Sequence, residues 1–120
     1  MRNQKLQSSA AYNVPVARSE IQFLAPWCQF LPGQDEVFLE ELKRELSPGH
    51  LLESLELVPL GHSSAADDAI FEAEDGRLFQ VHLTFSRHAE QKPLPRTRVY
   101  PNADEWVQQV MLPANEEYRR

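Results

Sequence analysis

The stretch "DDAIFEAEDGRLFQVHLTFS", Asp67 to Ser86, constrains the fold more than any other part of the chain. Apolar and polar residues alternate on both sides of Asp75-Gly76, as in two half-buried strands joined by a turn. Spacing then decides the register. A two-residue turn at Asp75-Gly76 would set Phe71 opposite Gln80 and Glu72 opposite Phe79, which mixes the faces. A three-residue loop, Glu74-Asp75-Gly76, with Gly76 in the left-handed conformation, sets Phe71 opposite Phe79 and Ala69 opposite Val81. A slip of one residue would send every side chain to the wrong side, so the second register is expected. One face then carries Ala69, Phe71, Phe79, Val81, Leu83 and Phe85. The other carries Asp68, Ile70, Glu72, Leu78, Gln80, His82, Thr84 and Ser86, with Asp68 across from His82.

The flanking segments build on this hairpin. "GQDEVFLEELKREL", Gly33 to Leu46, predicts a helix, because Phe38, Leu42 and Leu46 recur every four residues. Acidic Asp35 and Glu36 open it and basic Lys43 and Arg44 close it, the order a helix dipole favours. Its carboxylates Glu36, Glu40 and Glu41 are expected on a solvated face. "IQFLAPWCQFLPG", Ile21 to Gly33, reads as a short helix or turn pinned to the core, with Trp27 and Cys28 packed. Ser54 to Gly61 reads as a strand that Pro59 places at an edge or ends. Arg96 to Tyr100 is a short strand. Asn102 to Met111 is a second helix, with Asn102 as its cap and Glu105 reaching back. Residues 1–18 are polar and without periodicity, an expected mobile tail, and 114–120 are expected as a C-terminal tail. The remaining 19–113 form one α+β domain: an antiparallel sheet of about four strands with helices packed on one face.

Composition excludes several classes of function. The net charge of -6 and the scattered Lys and Arg argue against a nucleic-acid partner. No apolar run approaches the roughly 20 residues of a membrane span, and the N-terminus has no apolar stretch of a secretory leader. A single cysteine, Cys28, excludes an internal disulfide and fits a reducing cytoplasm. The charges are segregated: Glu53 to Asp75 holds only acidic ones, whereas Arg77 to Arg98 holds Arg77, Arg87, Lys92, Arg96 and Arg98 with Glu90 alone against them. The hairpin brings the two sets side by side.

The string "ADDAIF…EDGRLFQVHLTFS…PLPRTRVYPNADEWV" resembles a family of small uncharacterised bacterial proteins. The shared residues are Asp67, Asp68, Asp75, Gly76, Arg77, Val81, His82, Leu83, Thr84, Ser86, Pro95, Arg96 and Thr97, with Phe85 where that family usually has Trp. The resemblance spans about Gly49 to Met111. It implies a bacterial, cytoplasmic, stand-alone domain and carries no activity, cofactor or catalytic residue with it.

Three constellations are candidates for function. His82, Asp68 and Arg96 form the first: a histidine facing an aspartate can be held in one tautomer and serve as a base, with Arg96 suited to an anionic substrate, but the reading preferred for the pair is a cross-strand polar contact that pins register. Ser86 and Thr84 share that face but sit along the same strand, about 7 Å per step, too far for direct proton transfer. The second is a metal site from His62, His82 and Asp68. It lacks the paired spacing of known ligand sets, so no metal or other cofactor is expected. The third is the polar sheet face as a binding surface, made of Asp68, Glu72, Gln80, His82, Thr84 and Arg96, in which Ile70 and Leu78 lie among charges. This face leads to the functional expectation: a non-enzymatic domain that binds a protein partner or itself, for example an immunity-type protein neutralising a toxin. The alternative is a small enzyme or ligand-binding domain using His82, Asp68 and Arg96. A concave pocket around His82 would favour the alternative, and a flat strand face would favour the first.

Overall fold

The computed structural model describes residues 19–86, Ala89 and residues 95–120. The expected tail at 1–18 and most of the expected loop at 86–95 lie outside the described residues. Five strands, β1 (Trp27–Gln29), β2 (Leu57–Ser63), β3 (Asp68–Ala73), β4 (Leu78–His82) and β5 (Thr97–Tyr100), form one antiparallel sheet in sequential order. Helix α1 (Gln34–Glu45) lies between β1 and β2, and a helix formed by α2 (Ala103–Trp106), a π turn (Val107–Met111) and α3 (Leu112–Tyr118) follows β5.

The β3–β4 hairpin has the register its alternation requires. Phe71 faces Phe79, Ala69 faces Val81 and Asp68 faces His82. Gly76 takes φ 93°, where a side chain would be strained. Its N–H donates to Ala73 O at 3.0 Å, and Ala73 N donates to Arg77 O at 2.9 Å. Asp75 accepts from the Arg77 backbone N–H and guanidinium, which holds its carboxyl below the ordinary value.

The α+β class holds, with one strand more than expected. The extra one is β1, inside the segment read as a short helix or turn. A turn closed by Trp27 N donating to Leu24 O leads into it, and Cys28 then pairs with His62 and Trp27 with Ser63. Pro59 lies within β2, which is flanked by β1 and β3 and so is central. The reason it is tolerated is local: β1 spans only Gly61 to Ser63, so no strand calls on Pro59 for an N–H on that side. The register with β3 also shifts between Pro59 and Gly61. Gly61 is needed there, because a Cβ would meet the Phe23 ring at 2.5 Å and Cys28 O at 2.8 Å.

Helices cover both faces of the sheet, not one. On one face Leu57, Ala69, Phe71, Phe79, Val81 and Leu83 pack with Leu42, Phe38 and Leu39 of α1. On the other, Ile70, Leu78 and Tyr100 pack with Trp106, Met111 and Val110 of the C-terminal helix and with Trp27. The sequence carries the reason: Ile70 and Leu78 are apolar residues on the nominally polar face. Full burial of each such side chain contributes about 1.5–3 kcal/mol, so that face recruits a cover.

The C-terminal helix begins as expected and ends later. Asn102 Oδ1 accepts from Glu105 N at 2.8 Å, while the Glu105 carboxylate accepts from Gln109 instead of returning to the cap. The residues expected as a C-terminal tail continue the helix to Tyr118. Pro113 has no N–H for the helical ladder and its ring crowds the preceding turn. The π turn just before it opens the ladder, with Leu112 N donating to Val107 O. Ala114 packs on the core and Asn115 Nδ2 donates to Ala25 O at 2.7 Å, so this end is docked.

Candidate functional site

The hairpin register puts Asp68 and His82 side by side, and three further residues fix what they do. His82 Nδ1 lies 2.7 Å from Asp68 Oδ1. Gln80, two residues back on the same face of β4, donates from Nε2 to Asp68 Oδ2 at 2.9 Å. The buried Trp106 donates from Nε1 to Gln80 Oε1 at 2.8 Å. An indole N–H is only a donor, so it fixes the orientation of the Gln80 amide, which in turn presents its NH2 to Asp68. Both oxygens of Asp68 therefore meet donors. An acceptor-only carboxylate requires the proton on Nδ1 of His82, which leaves Nε2 as the working nitrogen.

Strand β5, the neighbour of β4, extends the same face. His82 N donates to Arg96 O at 2.9 Å, and Gln80 pairs with Arg98, so both arginines leave β5 on the face that carries His82. Asp68, Gln80, His82, Arg96 and Arg98, with Leu51 and Thr97, line a concave pocket of about 540 Å3. The His82 side chain is 46% exposed against 23% for Asp68, so the imidazole faces the opening and the carboxylate lies behind it. With Asp68 against two guanidinium groups and an imidazole, the pocket is locally cationic on a chain of net charge -6.

Not every expected site residue reaches this pocket. Asp68, Gln80, His82 and Arg96 converge in it. Glu72 does not: it is 1% exposed and accepts from Ser19 N at 3.2 Å and Ser19 Oγ at 2.5 Å. Thr84 lies beyond the end of β4 and donates its backbone N–H to Glu45. The flat mixed face expected here is absent, because Ile70 and Leu78 are buried under Trp106. Arg98 and Trp106 went unassigned in the sequence, though the spacing Arg96-x-Arg98 on a strand already puts both guanidinium groups on one face.

His62 joins neither His82 nor Asp68. It lies on the α1 face, where its Nε2 is 3.4 Å from Cys28 Sγ and its ring stacks on Phe30 at 5.1 Å. Burial pushes the thiol up and the imidazole down, so both stay neutral and the thiol is not activated. His50 is also committed: Nδ1 accepts from Leu52 N at 3.1 Å, and Nε2 faces Pro95 O at 3.2 Å. Among the described residues no group of three or more His, Cys, Asp or Glu is arranged to hold a metal.

A second polar cluster has different chemistry. Glu41 and Glu45, one helical turn apart on α1, are 2% and 0% exposed. Glu45 accepts from Thr84 N at 3.0 Å and Phe85 N at 2.8 Å, and Phe85 takes the left-handed φ of 55°. Burial first, then the hydrogen bond with Glu41, raises the Glu45 carboxyl from its ordinary 4.5 to about 7. Arg44 Nη1 reaches Glu41 at 3.3 Å. The expected solvated carboxylate face of α1 is thus corrected: Glu41 points inward, and the carboxyl beside it holds a proton near neutrality.

No protein-family model, curated protein or solved structure matches the chain. No helix among the described residues is long and apolar enough to cross a membrane.

Proposed function

We propose that this domain binds a small anionic molecule in the His82 pocket. The observation that carries the reading is the convergence of Arg96, Arg98 and an Asp68-held His82 on one cavity of about 540 Å3. That volume is typical of small-molecule sites, which combine concavity with a few placed polar groups. Binding is favoured over catalysis by the state of the nearby nucleophiles. Thr97 Oγ1 donates to Pro95 O at 3.1 Å, and Cys28 lies on the opposite face with an unactivated thiol.

Backbone amide NMR, with benzoate and phenyl phosphate titrated in, tests this. Shifts that saturate and map to Asp68, Gln80, His82 and Arg96–Arg98 support the pocket. The Arg98→Ala variant is expected to weaken binding by roughly 10-fold or more, the worth of one charge-assisted hydrogen bond. Unsaturating shifts scattered over the surface would refute it.

A second reading, binding of a protein partner in the manner of a bacterial cytoplasmic immunity-type domain, draws on the outer strand β5. Val99 there is 49% exposed and Leu51 beside the pocket is 52% exposed. Pull-down from the source cell is expected to return one dominant partner that a charge change at Arg96 releases. Recovery of none in gentle salt would count against it.

A further inference from the structure

We infer that the anion taken by this pocket is a small phosphate monoester, bound with uptake of a proton by His82. The inference rests on the anion-binding reading above and adds the ligand's chemical class.

Charge comes first. Arg96 and Arg98 bring two positive charges and Asp68 one negative. With His82 neutral the pocket nets one positive charge, and with His82 protonated it nets two. A phosphate monoester at neutral pH carries about 1.5 to 2 negative charges, which the protonated pocket neutralises more fully.

Donor count points the same way. The Gln80 side chain is tied to Trp106 through its oxygen and to Asp68 through its nitrogen. Beside the second N–H of Gln80, the donor groups of the pocket lining are the two guanidiniums and His82 Nε2. Three donor groups suit the three terminal oxygens of a phosphoryl group. A carboxylate has two oxygens, which one guanidinium fork can satisfy alone.

The imidazole decides the proton. Nδ1 is held at 2.7 Å by Asp68, so a neutral ring presents a lone pair at Nε2. A lone pair repels a phosphoryl oxygen. A proton there makes it a third charge-assisted donor, and the ionised Asp68 behind the ring stabilises the imidazolium. The Trp106–Gln80–Asp68 chain of hydrogen bonds keeps the ring from turning away.

Calorimetry with the full chain at pH 7, in two buffers of different ionisation enthalpy, reads affinity and proton uptake together. The probes are phenyl phosphate, inorganic phosphate and benzoate. Phenyl phosphate is expected to bind at least 10-fold more tightly than benzoate, with net proton uptake. His82→Gln, whose amide can still donate to Asp68, is expected to fold, to bind roughly 10-fold more weakly, and to lose the part of the uptake that belongs to the ring. Uptake that persists in His82→Gln belongs to the ligand. Benzoate binding as well as phenyl phosphate overturns the phosphoryl class and leaves the anion pocket standing. Equal proton uptake in wild type and variant overturns the role of His82. Failure of all three probes overturns the anion pocket itself. Tighter binding of inorganic phosphate than of phenyl phosphate overturns the monoester.

Discussion

Two acid-centred clusters flank the end of β4, and they hold a carboxyl in opposite surroundings. On the face of the C-terminal helix, the Asp68 carboxylate is met by His82 and Gln80 and borders a pocket lined by Arg96 and Arg98. On the α1 face, Glu45 lies beside a second acid and keeps a proton up to about pH 7. The first cluster opens to solvent through a half-exposed imidazole. The second is sealed and holds the backbone of Thr84 and Phe85, the latter in a conformation that costs a non-glycine residue free energy. The difference follows from partners. Asp68 keeps contact with solvent and meets a donor at each oxygen, whereas full burial first, and then the neighbouring Glu41, raises the Glu45 carboxyl against two backbone N–H donors that favour its charge. The open cluster is suited to meeting a ligand, and the closed one to holding the chain that leaves His82.

The largest expected effect falls on the residue that supports the open cluster from beneath. Trp106 is fully buried and packs edge-on against Trp27 at 4.9 Å. Trp106→Ala is expected to cost about 3–5 kcal/mol in denaturant unfolding. Trp106→Phe keeps most of the packing but leaves Gln80 Oε1 without its donor, for about 1–3 kcal/mol. If Phe costs nothing, the hydrogen-bond chain does not support the pocket.

The closed cluster sets the pH dependence. Because the Glu45 carboxyl is raised in the folded chain, the native state binds more protons than the unfolded one between about 4.5 and 7. The stability this group contributes is therefore fully present below that window, is lost as pH rises through it, by no more than about 3 kcal/mol, and stays lost above it. Glu45→Gln keeps an acceptor for Thr84 and Phe85 and donates to Glu41. It is expected to flatten this slope and to stabilise the protein at pH 8. Unchanged slopes in urea melts at pH 5 and pH 8 would contradict the shared proton.

Smaller effects separate the two clusters. Asp68→Asn is expected to alter stability by under about 1 kcal/mol, since the His82 pair is half exposed, and to reduce the proton uptake that accompanies anion binding, because the carboxylate that favours the imidazolium is gone. Thr84→Ala is expected to leave anion affinity unchanged, because Thr84 lies outside the pocket lining. A loss of affinity there would merge the two clusters into one site.

The open cluster was legible in the sequence because hairpin register is local. Alternation around Gly76 placed Asp68 opposite His82 and put Gln80 on the same face. Its covering was half legible: Ile70 and Leu78 on the polar face signal a second apolar layer, and their charged neighbours masked that signal. The closed cluster was not legible. Glu45 meets Thr84 across 39 residues of chain, and no periodicity in α1 distinguishes a carboxylate turned toward a neighbouring loop from one in water. The Cys28–His62 approach was hidden for the same reason, since it depends on a three-residue strand that pattern alone does not reveal.

The orientation of one ring is the most direct test. Long-range 15N–1H correlation spectra of His82, recorded without and with phenyl phosphate, read both ring nitrogens. A ring held by Asp68 gives a protonated Nδ1 and a bare Nε2 in the free neutral form, and Nε2 gains its proton as ligand is added. A free ring that carries its proton on Nε2, or nitrogen shifts that ignore the ligand, would contradict the proposed site.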